Sequence, residues 1–294
     1  MNANPTIKRI LFATDFLASS RLALDYAAAF AHHFKAVLVM LHVLELSSAA
    51  REAETQTAQP CLSRRSAQER LGAIASGVRR LGLEVETFVE EGVPSDVVLQ
   101  AVDRHSADLL VLGIHGVHRG IEHLLIGSNT EEILLSANCP TMTVGAHVMA
   151  GLDLGLHLEK ILYFSDFTPE AVAAAPYALF LSREFRAPID VCQLLPVAAE
   201  SNPKLRQDLA DEYCEWMRRA LPEAGPDWLE PAFYLDHGME LDEMIDRAQR
   251  VNAGLIVLGA RAQSQFRRRL HTSFVYQLLA KATCPVVSIR YRDP

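Results

Sequence analysis

Long apolar runs are missing from this chain. The longest, such as the stretch from Ala36 to Val43, fall far short of the roughly 20 residues a membrane-spanning helix needs, so no membrane partner is expected. A disulfide framework is missing too. The five cysteines (Cys61, Cys139, Cys192, Cys214 and Cys284) are odd in number and none stands in a C-x-x-C spacing, which reads as reduced thiols of a cytoplasmic protein. Basic excess is absent: the net charge is −8, against a general nucleic-acid surface. Only Trp216 and Trp228 are present, too few for a base-stacking platform. There is no G-x-S-x-G and no glycine loop ending in Gly-Lys-Ser/Thr, so esterase and P-loop chemistry lack support. His115 and His118 have a metal-like spacing, with His123 nearby, but no clear acidic or thiol partner, and no metal site is expected from them. The polar stretch Met1–Lys8 does not read as a signal peptide.

What is present is a large apolar fraction, arranged twice. Hydrophobic residues make up 50% of 294, ample for one large or two medium domains. Ile10-Leu11-Phe12-Ala13-Thr14-Asp15-Phe16 matches Ile161-Leu162-Tyr163-Phe164-Ser165-Asp166-Phe167. Ala107–Gly113 matches Ala253–Gly259, and Asn138–Val144 matches Thr283–Ile289. Order and spacing agree, which is the mark of an internal duplication. Charge divides evenly as well, with 12 basic and 16 acidic residues in 1–150 and 16 and 20 in 151–294. The expected units are residues 1–147 and 158–294, with His147–Glu159 as linker.

Within a copy, short continuous apolar runs alternate with amphipathic stretches. Ile7–Thr14, Ala36–Val43, Glu84–Glu90, Leu109–Gly113 and Thr141–Val144 read as strands. Ser19–Phe34, Ser63–Leu81, Pro94–His105 and Ser128–Ser136 read as helices, with Ser95 or Asp96 as a cap for the third. In the second copy Thr168-Pro169-Glu170 is a helix start, and Pro176 predicts a kink or an early turn. Strands buried on both faces and alternating with helices mean a parallel sheet covered on each side, five strands per copy.

One loop carries binding chemistry. After Leu109–Leu112 come Gly113-Ile114-His115-Gly116, ten residues, then Gly127-Ser128-Asn129 and a helix. Gly113 and Gly116 allow a tight turn and a close approach of backbone to a ligand. The N-terminus of the following helix favours an anion, and the Ser128 hydroxyl adds a donor. Two glycines before a helix also serve as ordinary turn residues. Asp15, at the end of the first strand, and Val43, at the end of the second, lie at the same sheet edge, where open α/β sheets bind ligands.

These features together resemble the universal stress protein family in its tandem two-domain form. The resemblance runs from Lys8 to Arg290 and rests on Ile10–Asp15, Leu41-His42-Val43, Glu91-Gly92, Gly113–Gly116, Gly127-Ser128 and Cys139-Pro140. It implies two tandem five-stranded α/β sandwich domains of the Rossmann-like, adenine nucleotide alpha hydrolase-like class. It implies pairing through the last strands, Thr141–Val144 with Val286–Arg290, as an internal pseudo-dimer, and a homodimer of tandem chains beyond that. It implies ATP or AMP in the first copy, bringing Mg²⁺ with it. Phosphate contacts would come from Gly113, Gly116, Gly127, Ser128 and Asn129, and ribose or adenine contacts from Ala13, Asp15 and Val43. Thr14, Leu112 and His115 fall in the same implied site. The implied role is stress response by binding; the alternatives are a scaffold for an unidentified protein partner and, more weakly, a slow ATPase.

Both copies depart from the family pattern, which has nine residues between the glycine pairs. The first has ten. The second keeps nine but reads Gly259-Ala260-Arg261-Ala262 and then Thr272-Ser273, so a Cβ replaces hydrogen at two of the close-approach points. That second loop also collects Arg261, Arg267, Arg268, Arg269 and His271, which read as a solvated rim or as an anion or partner site.

Overall fold

The computed structural model describes residues 5–45, 63–114, 117–118, 124–125, 127–148, 154–165, 169–195, 232–237, 241–260 and 274–290, with scattered positions between 202 and 215. The first half runs β1 (Arg9–Ala13), α1 (Ala18–Phe34), β2 (Val37–Glu45), α2 (Arg64–Arg79), β3 (Val85–Gly92), α3 (Pro94–Arg104) and β4 (Leu109–Gly113). A small hairpin follows, β5 (Val117–His118) and β6 (Leu124–Leu125), then α4 (Ser128–Ser136) and β7 (Thr141–Val144). The second half supplies β8 (Ile161–Ser165), α5 (Pro169–Phe185), β9 (Ile189–Leu195), β10 (Ala232–His237), α6 (Leu241–Arg250), β11 (Leu255–Ala260), α7 (Phe274–Lys281) and β12 (Val286–Arg290).

All but the hairpin strands join one ten-stranded sheet, ordered β10-β9-β8-β11-β12-β7-β4-β1-β2-β3. Within each half, neighbours run parallel. The halves meet where β7 and β12 run antiparallel, Val286 opposite Thr143 and Ser288 opposite Thr141. Buried hydroxyls at this seam are satisfied across it. Thr143 Oγ1 donates to the Val286 carbonyl and Ser288 Oγ to the Thr141 carbonyl, each at 3.2 Å. Unbonded, each would cost about 1–3 kcal/mol.

The duplication extends to the backbone. Lys35 and Arg186, which follow α1 and α5, both adopt left-handed φ values of 54° and 50°; Ser106 and Asn252 do so at 48° and 51°. On one sheet face α1, α2 and α5 share a single core, in which Phe30 and Phe185 lie 5.0 Å apart across the pseudo-two-fold. On the other face α3 and α4 cover the first half and α6 and α7 the second. Ile114 and Leu134 of the first half belong to the second half's cluster there.

Two local expectations change, and one short strand pair is added. Helix α5 continues through Pro176 to Phe185. The proline faces solvent while Ala174, Ala175, Tyr177 and Ala178 are buried, so packing on the sheet holds the helix together. Neither Ser95 nor Asp96 caps α3: its N-cap is Val93, without a side-chain bond, because Pro94 already sets the helical φ of the first turn. Between β4 and α4 the two-residue strands β5 and β6 pair antiparallel, Val117 opposite Leu125 and His118 opposite Leu124, and are too short to show a period.

Candidate functional site

The first half's switch point lies between β1 and β4. The helix that follows β1 packs on one sheet face and the helix that follows β4 packs on the other, so the two connections part there, the place where open α/β sheets take their ligands. The register brings Ala13 beside both Leu41 and Leu112, and Gly113 beside Val144. Thr14 extends the β1–β2 ladder by one bond, its N–H donating to the Leu41 carbonyl at 2.9 Å. Val43, two residues on, points to the same face of β2 as Leu41. Ala13, Thr14, Asp15, Val43, Leu112 and Gly113 therefore collect at one edge. Gly127, Ser128 and Asn129 form the start of α4, which follows the hairpin from β4. His115 and Gly116 lie outside the described residues, as do Asp166, Arg119, His123 and the arginine-rich segment of the second half.

Asp15 organises its own loop. Its Oδ1 accepts from the Leu17 N–H at 2.8 Å and from Ser20 Oγ at 2.5 Å, an Asx turn that launches α1. Phe16, between them, is held at φ 65°. That conformation is unusual for a bulky residue, and two neighbours hold the side chain that adopts it. His42 packs on the Phe16 ring at 4.2 Å, and the Arg70 guanidinium lies over it at 4.6 Å. Arg70 also donates to the Phe16 carbonyl at 3.2 Å. His42 Nδ1 sits 2.8 Å from the Thr14 carbonyl. A carbonyl only accepts, so Nδ1 carries the proton. Burial lowers the His42 pKa; the Thr14 bond and the Asp15 charge oppose that shift, and Arg70 adds to it. The His42–Phe16–Arg70 stack went unseen in the sequence, although Leu41-His42-Val43 marked its first member.

The two described loop glycines differ in kind. A Cβ on Gly113 would stand 2.6 Å from backbone atoms of Ser19 and Ser20, so the start of α1 requires glycine there. At Gly127 an added Cβ would meet no described atom within 4 Å, and φ is an ordinary −59°. Nothing described in the fold demands glycine at 127. Gly127 is the N-cap of α4 and offers no side-chain cap to the helix's first N–H groups; Ser128 beside them is exposed. Helix-start N–H groups are donors of the kind that can bind an anion.

Among the described residues no group of His, Cys, Asp and Glu could hold a metal, and no helix is long and apolar enough to cross a membrane.

Comparison with known proteins agrees with this arrangement. The profile of the universal stress protein family matches residues 6–145 and again residues 157–290. The universal stress protein MJ0531 of Methanocaldococcus jannaschii is 27% identical over 146 residues, covering 49% of this chain and 85% of that protein. Universal stress protein A homolog 1 of Coxiella burnetii is 30% identical over 146 residues, covering 47% and 95%. Over the whole architecture, the crystal structure of a universal stress protein from Archaeoglobus fulgidus superposes with a TM-score of 0.70 at 18% identity, covering 96% of this chain and 98% of that one. Each sequence relative spans about half of this chain, as a duplication requires. With two tandem matches over one continuous sheet, the chain belongs to the universal stress protein family.

Proposed function

We propose that the first half binds an adenine nucleotide, ATP or AMP, and that the protein acts in stress response through this binding rather than through turnover. The observation that carries the reading is Gly127: a glycine that the described fold does not need, at the uncapped start of α4, where backbone must come close to an anion. Ser128 and Asn129 extend the donor set, with Leu112 and Gly113 at the end of β4; His115 and Gly116, which follow them in sequence, belong to the same proposed site. Asp15 stands where a ribose hydroxyl would be held, and Ala13, Thr14 and Val43 form the edge for the base. Mg²⁺ would accompany the triphosphate, since no carboxylate cluster among the described residues supplies a separate site.

The second half does not repeat this arrangement. Ala262 and Thr272 stand where the first half has Gly116 and Gly127. We assign it no nucleotide of its own. Isothermal titration of nucleotide-free, full-length protein with ATP and with AMP, each with and without Mg²⁺, tests the reading. One site per chain is expected. No heat with any of them overturns it, as does binding that survives Gly127→Val.

A further inference from the structure

The end of each half's last strand reaches the C-terminus of the other half's last helix, and the two contacts differ. Arg290, the final residue of β12, donates from Nη1 to the Ser136 carbonyl at the end of α4, at 3.0 Å. The equivalent residue after β7 is Gly145, which has no side chain to give. Its Cβ position lies 3.0 Å from the Leu279 carbonyl oxygen in α7. The duplicated seam is thus asymmetric, and the arginine serves the helix whose N-terminus carries Gly127 and Ser128.

Helix α4 needs such help. It has nine residues, a length that is marginal in isolation. Its N-cap is a glycine, so its N-terminus lacks the side-chain bond that usually stabilises that end. A cationic donor at the C-terminus satisfies a carbonyl left over by the helix and complements its dipole. Two further contacts come from the same direction. Ile114, next to Gly113, is 1% exposed within the cluster of Tyr276, Leu278 and Leu279, and Leu134 of α4 lies in that cluster too. Strand β6 of the hairpin packs against α7. Both ends of the glycine loop, and the far end of its helix, are therefore seated on the second half.

We infer that the anion-gripping loop of the first half is positioned by the second half, with Arg290 as the positioning residue. The second copy, with alanine and threonine at two of its loop's glycine positions, acts as a fixed partner in cis that holds α4 ready for phosphate. The inference rests on the nucleotide reading only for its functional consequence.

The test uses the full-length chain as wild type, Arg290→Ala and Arg290→Lys. In nucleotide-free protein, amide hydrogen exchange of residues 127–136 is expected to rise about fivefold in Arg290→Ala while β1 and β2 stay protected. ATP affinity is expected to fall about 3- to 10-fold, with partial recovery in Arg290→Lys. Unchanged exchange in α4 overturns the inference, and so does a uniform rise across the first half, which would report general destabilisation. An unchanged ATP affinity beside locally faster exchange overturns the positioning role. If wild-type protein binds no ATP, the nucleotide reading fails, while the exchange comparison still decides whether Arg290 orders α4.

Discussion

Gly113 lies directly under the backbone of Ser19: a Cβ at 113 would come within 2.6 Å of the Ser19 carbonyl carbon. The obstacle is backbone, so no rotamer change relieves it. Gly113→Ala is expected to destabilise the protein by about 1–3 kcal/mol, the usual cost of overpacking a tight contact. Urea unfolding of the nucleotide-free protein measures this. A midpoint equal to wild type would show that α1 does not press on β4 there.

The order of elements was legible in the sequence because of how they are buried. Strands covered on both faces, such as Ile10–Phe12 and Leu109–Leu112, leave unbroken apolar runs. Repeated segments such as Ile161–Phe167 announce the duplication, and the β7–β12 seam is the one that the resemblance to the family implied. The edge formed by Ala13, Asp15, Val43 and Gly113 was legible through the switch-point rule. What stayed hidden depends on tertiary approach. Arg70 reaches Phe16 from 54 residues away, and no spacing rule links a helix residue to a strand-end loop at that distance. The crowding of Gly113 by Ser19 and Ser20 was hidden for the same reason, since it exists only once α1 crosses β4. Arg290 reads as the end of a strand until the antiparallel seam brings it to Ser136.

His42 should make stability depend on pH. Its folded pKa is lowered from 6.5, chiefly by burial. The unfolded chain therefore binds the proton more readily, and stability present above the unfolded pKa is lost as pH falls below it. His33, lowered mainly by burial but more exposed, adds a smaller term of the same sign. The urea midpoint is expected to drop between pH 7.5 and pH 5.5, and the drop should shrink in His42→Gln. An identical pH slope in that variant would remove His42 from the account.

Tyr177 is buried in α5 and its hydroxyl has no hydrogen-bond partner among the described residues. Burial pushes its pKa upward. An unsatisfied buried hydroxyl costs about 1–3 kcal/mol, so Tyr177→Phe is expected to stabilise the protein by about 1 kcal/mol. Calorimetric unfolding would show a higher Tm. A lower one would mean that the hydroxyl is satisfied in solution.

Asp15 has an observed role in the turn into α1 and a proposed one toward the nucleotide, and substitution can separate them. As an acceptor it fixes the turn into α1 through Leu17 and Ser20. As an anion it would hold a ribose hydroxyl. Asp15→Asn keeps one acceptor oxygen for the turn while it loses the charge and turns the other oxygen into an amide donor, so its stability should stay within about 0.5 kcal/mol of wild type. Its ATP affinity should fall roughly tenfold, because a hydrogen bond to a charged acceptor is worth about 1–2 kcal/mol more than a neutral one. Asp15→Ala removes the acceptor as well and should add about 1 kcal/mol of destabilisation, the typical cost of a lost helix-start bond. Affinity that is unchanged in Asp15→Asn would place the ribose elsewhere, whatever happens to stability in Asp15→Ala.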